Sequence, residues 1–344
     1  GALFPLTGSL ANYGEESIKA AQMATDEINA GGGINGVKLV IDFLDHKCDP
    51  TTAKSIFEQE TSLKEIKVFV VQQCSGTVLS IAPLLVDNNA IILGTAVSTP
   101  KLSGISPNFF RNWALDSSEA ELFAKEANKR GLKRIGIIYE QTDYAKGLSD
   151  YFQNGLKNHE SSPVIVIESF NSNSADVRSQ LAKLKDRNLD ALFISVQTVA
   201  SGDLVLKQMT EIGFKPKTIF GSDYIIKTGD FLKKYSLLEG AIGADFIPAN
   251  SEAYKEYQNK FKEKYGFFPL QPNFSGAQYD SILFLAKAIS VSGTDANEIS
   301  KYLKTHSFNG ASGTLAFDLK NDRKNANYTP VIVKNGKVIL LETK

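Results

Sequence analysis

The sequence predicts an α/β chain of two lobes, each a parallel sheet covered by helices, and three observations carry that prediction. Short apolar runs alternate with amphipathic stretches, the pattern of right-handed βαβ units whose sheets are buried on both faces. The second half repeats the layout of the first. Three candidate crossings join the halves, which makes each lobe discontinuous in sequence. A length of 344 residues fits two domains at about 150 residues each.

The elements follow in order. Gly1-Ala2-Leu3-Phe4 reads as a strand already under way, and Val37–Phe43 as the next strand. Thr51–Leu63 reads as a helix opened by Asp49-Pro50, with proline near the first turn. Val68–Val71 is a buried strand, Gly76–Asn88 a helix, and Ala90–Leu93 a strand. The alternation resumes at Arg134–Tyr139. Residues 2–21 match the layout of 136–155, residues 50–77 that of 175–202, and residues 90–98 that of 217–225. A repeat this long is a whole domain rather than a solenoid unit. After it come helices over Ser251–Tyr265, Gln278–Ser292 and Asn297–Thr305, then strands over Gly313–Phe317, Val331–Val333 and Val338–Leu341. The candidate crossings are Trp113–Ser117, Ala244–Pro248 and Asp318–Ala326. The expected lobes are 1–115 with 248–320, and 116–247 with 321–344, with a ligand cleft between them. A hinge of several strands permits rotation and resists shear, a design for closing on a ligand.

Composition narrows the function. Lys+Arg and Asp+Glu are 38 each, a formal net charge of zero, so the phosphate-neutralising surplus of a nucleic-acid binder is missing. Hydrophobic residues make up 42%, enough for a sizeable core. No apolar run approaches the roughly 20 residues that span a bilayer. No signal peptide opens the chain, which reads as a trimmed mature protein. Two cysteines, Cys48 and Cys74, and three scattered histidines, His46, His159 and His306, give no short-spaced metal-ligand set. No metal or cofactor is expected. The two cysteines are either one disulfide of an oxidising compartment or two separate buried thiols.

In open α/β sheets ligands bind beyond the carboxyl ends of strands. In the first lobe those positions hold Thr7-Gly8-Ser9 with Asn12-Tyr13-Gly14, then Cys74-Ser75-Gly76-Thr77 at a helix start, then Gly94-Thr95-Ala96-Val97-Ser98. In the second they hold Asp143-Tyr144, Gln197-Thr198 and Gly221-Ser222-Asp223-Tyr224. Hydroxyls and helix N–H groups on one wall suit a carboxylate. A carboxylate beside tyrosine faces on the other suits an ammonium. Together they suit a zwitterion. Ser75 as a plain N-cap and Asp223 as a cap of the next segment are the structural alternatives. An enzyme is not expected. No Gly-x-Ser-x-Gly elbow, P-loop or dinucleotide fingerprint is present, and Gly31-Gly32-Gly33 follows a helix as a C-cap and turn.

The segments "GALFPLTGSLANYGEESIKAAQMATDEINAGGGINGVKL", "DHKCDPTTA", "CSGT", "GTAVSTPKL", "YAKGL" and "FGSD" resemble the type I periplasmic solute-binding proteins of ABC importers, in the leucine/isoleucine/valine-binding branch. The resemblance covers nearly the whole chain. It implies the type I periplasmic-binding fold, the Venus flytrap of two Rossmann-like lobes on a three-strand hinge. It also implies a Cys48–Cys74 disulfide. It places carboxylate contacts on Ser75, Ala96 and Ser98, and aromatic and acidic contacts on Tyr13, Tyr144, Asp223 and Phe274. Near Gln197-Thr198 the family often has an aromatic, so Gln197 stays a candidate from its strand end, and Trp113 is expected with Tyr13 and Phe274 around the ligand's apolar remainder. The implied function is capture of a neutral, branched-chain or otherwise apolar amino acid by lobe closure. It also implies amino-acid transport, with the membrane permease subunits of an ABC importer as partners. The implied protein is a monomer in the periplasm or another extracytoplasmic space. Where the branch resembles "GPEG", this chain has Gly221-Ser222-Asp223-Tyr224, with a shorter acid and a bulkier neighbour. The alternatives are a small aromatic carboxylate or short amide as ligand, or an extracellular ligand-binding receptor that senses rather than transports.

Overall fold

The computed structural model describes residues 1–157, 162–246 and 251–342. The chain forms two compact units. Unit 1 is Gly1–Ala114 with Phe246–Ala326, and unit 2 is Leu115–Asp245 with Asn327–Lys344. Part of the expected Ala244–Pro248 crossing, and His159, lie outside the described residues.

Unit 1 begins with β1 (Ala2–Phe4), α1 (Ala11–Ala30), β2 (Phe43–Asp45), α2 (Pro50–Leu63), β3 (Val68–Gln72), α3 (Ser75–Ile81), β4 (Ile91–Thr95) and β5 (Phe109–Asn112). Unit 2 holds α4 (Asp116–Lys129), β6 (Arg134–Glu140), α5 (Asp143–Lys157), β7 (Val164–Phe170), α6 (Arg178–Lys185), β8 (Ala191–Ser195), α7 (Val199–Glu211), β9 (Thr218–Gly221), α8 (Asp223–Ile226), α9 (Gly229–Lys234) and β10 (Ile242–Asp245). The chain then returns to unit 1 with α10 (Glu252–Tyr265), α11 (Pro272–Ser292), α12 (Ala296–Thr305) and a small hairpin, β11 (Phe308–Gly310) and β12 (Gly313–Leu315). It ends in unit 2 with β13 (Thr329–Lys334) and β14 (Lys337–Leu340).

The unit 1 sheet has the order β2-β1-β3-β4-β5 and is parallel throughout. Its strands alternate between two cores, as a period of two demands. Ala2, Phe4, Val70, Ile91, Leu93 and Phe110 face α1, α11 and α12, whereas Leu3, Phe69, Val71, Ile92 and Phe109 face Ala53, Phe57, Val78 and Ile81. In unit 2 the order is β14-β13-β10-β9-β8-β6-β7. Read from β7, the run β7-β6-β8-β9-β10 repeats the order of unit 1, so the matched sequence segments occupy matched places. The strands β7-β6-β8-β9-β10 are parallel, as expected, and the hairpin β13–β14 adds antiparallel to β10. Between α4, α5 and the sheet, Phe123, Phe152, Phe193 and Phe220 form one cluster, with Phe152 and Phe193 centroids 4.9 Å apart.

Local signals explain the boundaries. Asp49 caps α2, accepting from the Thr52 N–H at 2.7 Å, with Pro50 in the first turn. The expected helix Gly76–Asn88 stops at Ile81 and continues as a 3-10 turn, Ala82–Leu84, because Pro83 cannot donate. The expected strand Val37–Phe43 is mostly not one. β1 pairs with β2 from Ala2↔Phe43 onward, and Val37 instead closes a tight bridge to Ile34. Gly33 permits that turn at φ +76°, where a Cβ would stand 2.2 Å from the Val37 carbonyl oxygen.

Candidate functional site

In unit 1 the expected ligand residues stand at the carboxyl ends of the adjacent strands β3 and β4. Three non-glycine residues there adopt left-handed conformations: Gln73 at φ 60°, Cys74 at φ 57° and Ala96 at φ 56°. Strain of this kind persists only where the surroundings enforce it, and it clusters at binding sites. Here Gln73 N–H donates to the Thr95 carbonyl at 2.9 Å. The Thr77 hydroxyl donates to the Cys74 carbonyl at 2.7 Å. Cys74 is disulfide-bonded to Cys48, with Cα atoms 5.4 Å apart. The result places Ser75 at the first residue of α3, where its hydroxyl accepts weakly from the Thr99 N–H at 3.4 Å.

His46 belongs to the same scaffold. It is completely buried, and burial, partly offset by the Gln72 carbonyl, lowers its pKa. The neutral ring accepts the Cys48 N–H at Nδ1, 2.9 Å, which leaves Nε2 to donate to the Gln72 carbonyl at 3.0 Å. The histidine therefore ties one half of the disulfide to β3.

The loop with Ser98 is held by Arg111, a residue that no sequence motif singles out. Its guanidinium is fully buried and donates to the carbonyls of Val97 at 3.0 Å and Thr99 at 2.6 Å, the two neighbours of Ser98. Its charge is met by Asp322, which accepts from Nε at 2.9 Å and also from Nη2. Tyr13 and Phe274 meet edge-to-face at 5.5 Å, and Trp113 stacks on Phe274 at 4.7 Å. Phe246, also unforeseen, completes the aromatic group, with Trp113 at 4.8 Å and the Arg323 guanidinium 5.1 Å from its centroid. The side-chain amides of Gln72, Gln73 and Gln278 are buried without a hydrogen-bond partner among the described residues.

In unit 2 the expected residues again follow adjacent strands, β6, β8 and β9. Tyr144 lies in the first turn of α5 and meets Tyr224 edge-to-face at 6.1 Å. Gln197 follows β8, and its backbone N–H donates to Glu140 at 2.7 Å. Ser222 is pinned to Val196 by reciprocal bonds of 3.2 and 3.1 Å, which fixes Asp223 at the start of α8. Asp223 is buried, but its carboxylate has company. Lys227, one turn on, lies 3.1 Å from it and 2.5 Å from Asp245. Burial opposes the lysine charge, yet the two carboxylates outweigh it and hold the Lys227 pKa above its ordinary value. Burial raises the Asp223 pKa, with Lys227 pulling against it. The signal for Lys227 was available, since i and i+4 residues share a helix face. Asp116 and Glu119, at the start of α4, are fully buried and act electrostatically on the same group. Their spacing of three was also legible, but nothing in the sequence placed α4 beside β10.

Among the described residues no group of three or more His, Cys, Asp or Glu is arranged to hold a metal ion, and no helix is long and apolar enough to cross a membrane.

Known proteins resemble this chain along its length. The Leu/Ile/Val-binding protein of Escherichia coli strain K12 is 26% identical over 326 residues, 93% of this chain and 86% of the relative. A leucine-binding protein from Thermotoga maritima has a crystal structure that superposes with a TM-score of 0.87 at 24% identity, covering 99% of this chain and 97% of its own. A solute-binding protein of an ABC transporter from Rhodopseudomonas palustris, crystallised with 3,4-dihydroxybenzoic acid, gives 0.79 at 20% identity, with 100% and 95% covered. The family model of periplasmic binding proteins matches residues 1–337, and the chain belongs to that family.

Proposed function

We propose that this protein captures a neutral, mostly apolar amino acid outside the cytoplasm and delivers it to the membrane permease subunits of an ABC importer. It does so as a monomer and without catalysis. Unit 1 takes the ligand's carboxylate, through Ser75, Ser98 and the backbone at Ala96. Unit 2 takes the ammonium through Asp223, beside Tyr144 and with Gln197 near by. Tyr13, Phe274 and Trp113 shape the apolar remainder.

The observation that carries this reading is the opposite chemistry of the strand ends in the two units. The left-handed turn Gln73-Cys74 delivers a hydroxyl and helix N–H groups in unit 1. In unit 2 the end of β9, the counterpart of β4, delivers a buried carboxylate beside tyrosine. The Leu/Ile/Val-binding relatives point the same way. Calorimetry with leucine, isoleucine, valine, benzoates and short amides tests it. Leucine or a close analogue should bind, and Asp223→Asn should weaken it by about 2–5 kcal/mol, the cost of truncating one partner of a desolvated charge pair.

One observation favours a second reading. Lys227 already supplies a cation 3.1 Å from Asp223, so the carboxylate is balanced without a ligand amine. A small aromatic carboxylate or an amide would then bind, and Asp223→Asn would leave its affinity nearly unchanged.

A further inference from the structure

In unit 2 a group of acids gathers with a lysine. Asp116 and Glu119 on α4, Asp223 on α8 and Asp245 on β10 gather around Lys227, which contacts Asp223 and Asp245 directly. Glu119 differs from the acids that Lys227 contacts. It is completely buried, and neither of its carboxyl oxygens has a hydrogen-bond partner among the described residues. A charged carboxylate in that state is far more costly than a neutral carboxyl.

We propose that Glu119 is a proton-holding partner of Asp223: its carboxyl is neutral in the ligand-free protein and gives up its proton when a cationic group of the ligand arrives at Asp223. The proposal rests on the amino-acid reading above, because it requires a ligand ammonium at that carboxylate.

The groups facing Glu119 set the sign. Burial raises its pKa well above the ordinary carboxyl value, and the charges of Asp223, Asp116 and Asp245 push the same way against Lys227. From α5, Tyr144 faces the same cluster. Burial, then Glu119 and Asp223, hold its phenol well above its usual pKa, so it stays neutral and does not compete for the change. Tyr328 acts on Tyr144 as well. An arriving ammonium reverses part of the field at Glu119, since a nearby opposite charge favours the ionised form. The proton goes to solvent, the ligand keeps its NH3+, and no covalent bond to the ligand forms or breaks. Linkage is reciprocal: if the ligand expels the proton, the proton weakens the ligand by the same factor. Affinity for an amino acid should therefore rise with pH while Glu119 titrates, by up to about tenfold per pH unit for one proton, and level off above that range. Glu119 acts through Asp223 and is a positioning residue, so its signature is the pH profile rather than loss of binding alone.

Calorimetry of L-leucine binding from pH ~5 to ~8, in buffers of different ionisation enthalpy, reads the coupling directly. Infrared spectroscopy of the same samples reads the protonated-carboxyl stretch. The expected result is release of up to about one proton per leucine where Glu119 titrates. The carboxyl band should be lost on adding leucine, and both signals should be absent in Glu119→Gln, whose leucine affinity should be flat with pH. Leucine binding by the wild type with no proton release and an unchanged band overturns the proposal and leaves the amino-acid reading standing. No binding of leucine at any pH overturns the amino-acid reading and the proposal with it. Should Glu119→Gln fail to fold, the wild-type band with and without leucine decides alone.

Discussion

Single residues in this protein are constrained most tightly where backbone meets backbone. Gly14, next to Tyr13 on α1, is helical and needs no unusual φ, yet a Cβ there would lie 2.1 Å from the Pro5 carbonyl oxygen. A backbone obstacle cannot swing aside as a side chain can. Gly14→Ala should therefore destabilise by about 3 kcal/mol, the upper part of the overpacking range, despite alanine's better helix propensity. Denaturant unfolding of the two forms checks this, and a gain in stability would contradict the close approach. The sequence marks Asn12-Tyr13-Gly14 as a helix start beside a ligand. That the glycine serves helix-to-loop packing depends on where α1 lies, which no local pattern encodes.

At the scale of elements, one buried ion pair governs a loop of the candidate site. Arg111 on β5 binds the carbonyls on both sides of Ser98 and takes its counter-charge from Asp322. Arg111→Met should cost about 3–5 kcal/mol, because it leaves Asp322 buried without its cation, and should speed hydrogen exchange around Thr99. The pair Arg111→Met with Asp322→Leu should recover much of that loss, as replacing a whole buried pair by apolar groups often does. These positions explain what could be read in advance. Strands such as Val68–Gln72 announced themselves because their neighbours alternate between two cores, and α2 did because Asp49-Pro50 is a local start signal. Ser75, Asp223 and Tyr144 were found because ligand loops follow strand ends. Arg111, Phe246, Lys227 and Glu119 were not found. Arg111 draws on partners 12 to 211 residues away, Phe246 on Trp113 and Arg323, and Lys227 and Glu119 on charged groups of other elements. The Val37–Phe43 misreading has the same origin: alternation shows that a segment can pair, and only the register of β1 decides where it does.

For the molecule as a whole, the disulfide and the ligand are the two levers on stability. Cys48–Cys74 closes a loop with a sequence separation of 26, and reduction should cost about 3–4 kcal/mol in the chain-entropy account. Alkylation of the unreduced, denatured protein should label no thiol. A bound amino acid should raise Tm by mass action, with about 2.7 kcal/mol at a free concentration of 100 times Kd, and Asp223→Asn should lose most of that gain at a fixed leucine concentration. The return of the chain to unit 1 also bears on how the protein is made. The face of the first sheet that carries Ala2, Phe4 and Val70 is covered by α1 together with α11 and α12, which end at Ser292 and Thr305. Unit 2 waits in turn for β13 and β14. At ~5–20 residues per second of synthesis, the apolar face of α1 stays without its partner helix for tens of seconds after it leaves the ribosome. Unit 1 cannot close its core before α11 and α12 are made, nor unit 2 before β13 and β14, so a nascent polypeptide of this kind remains thread-like and open to chaperones until those elements emerge.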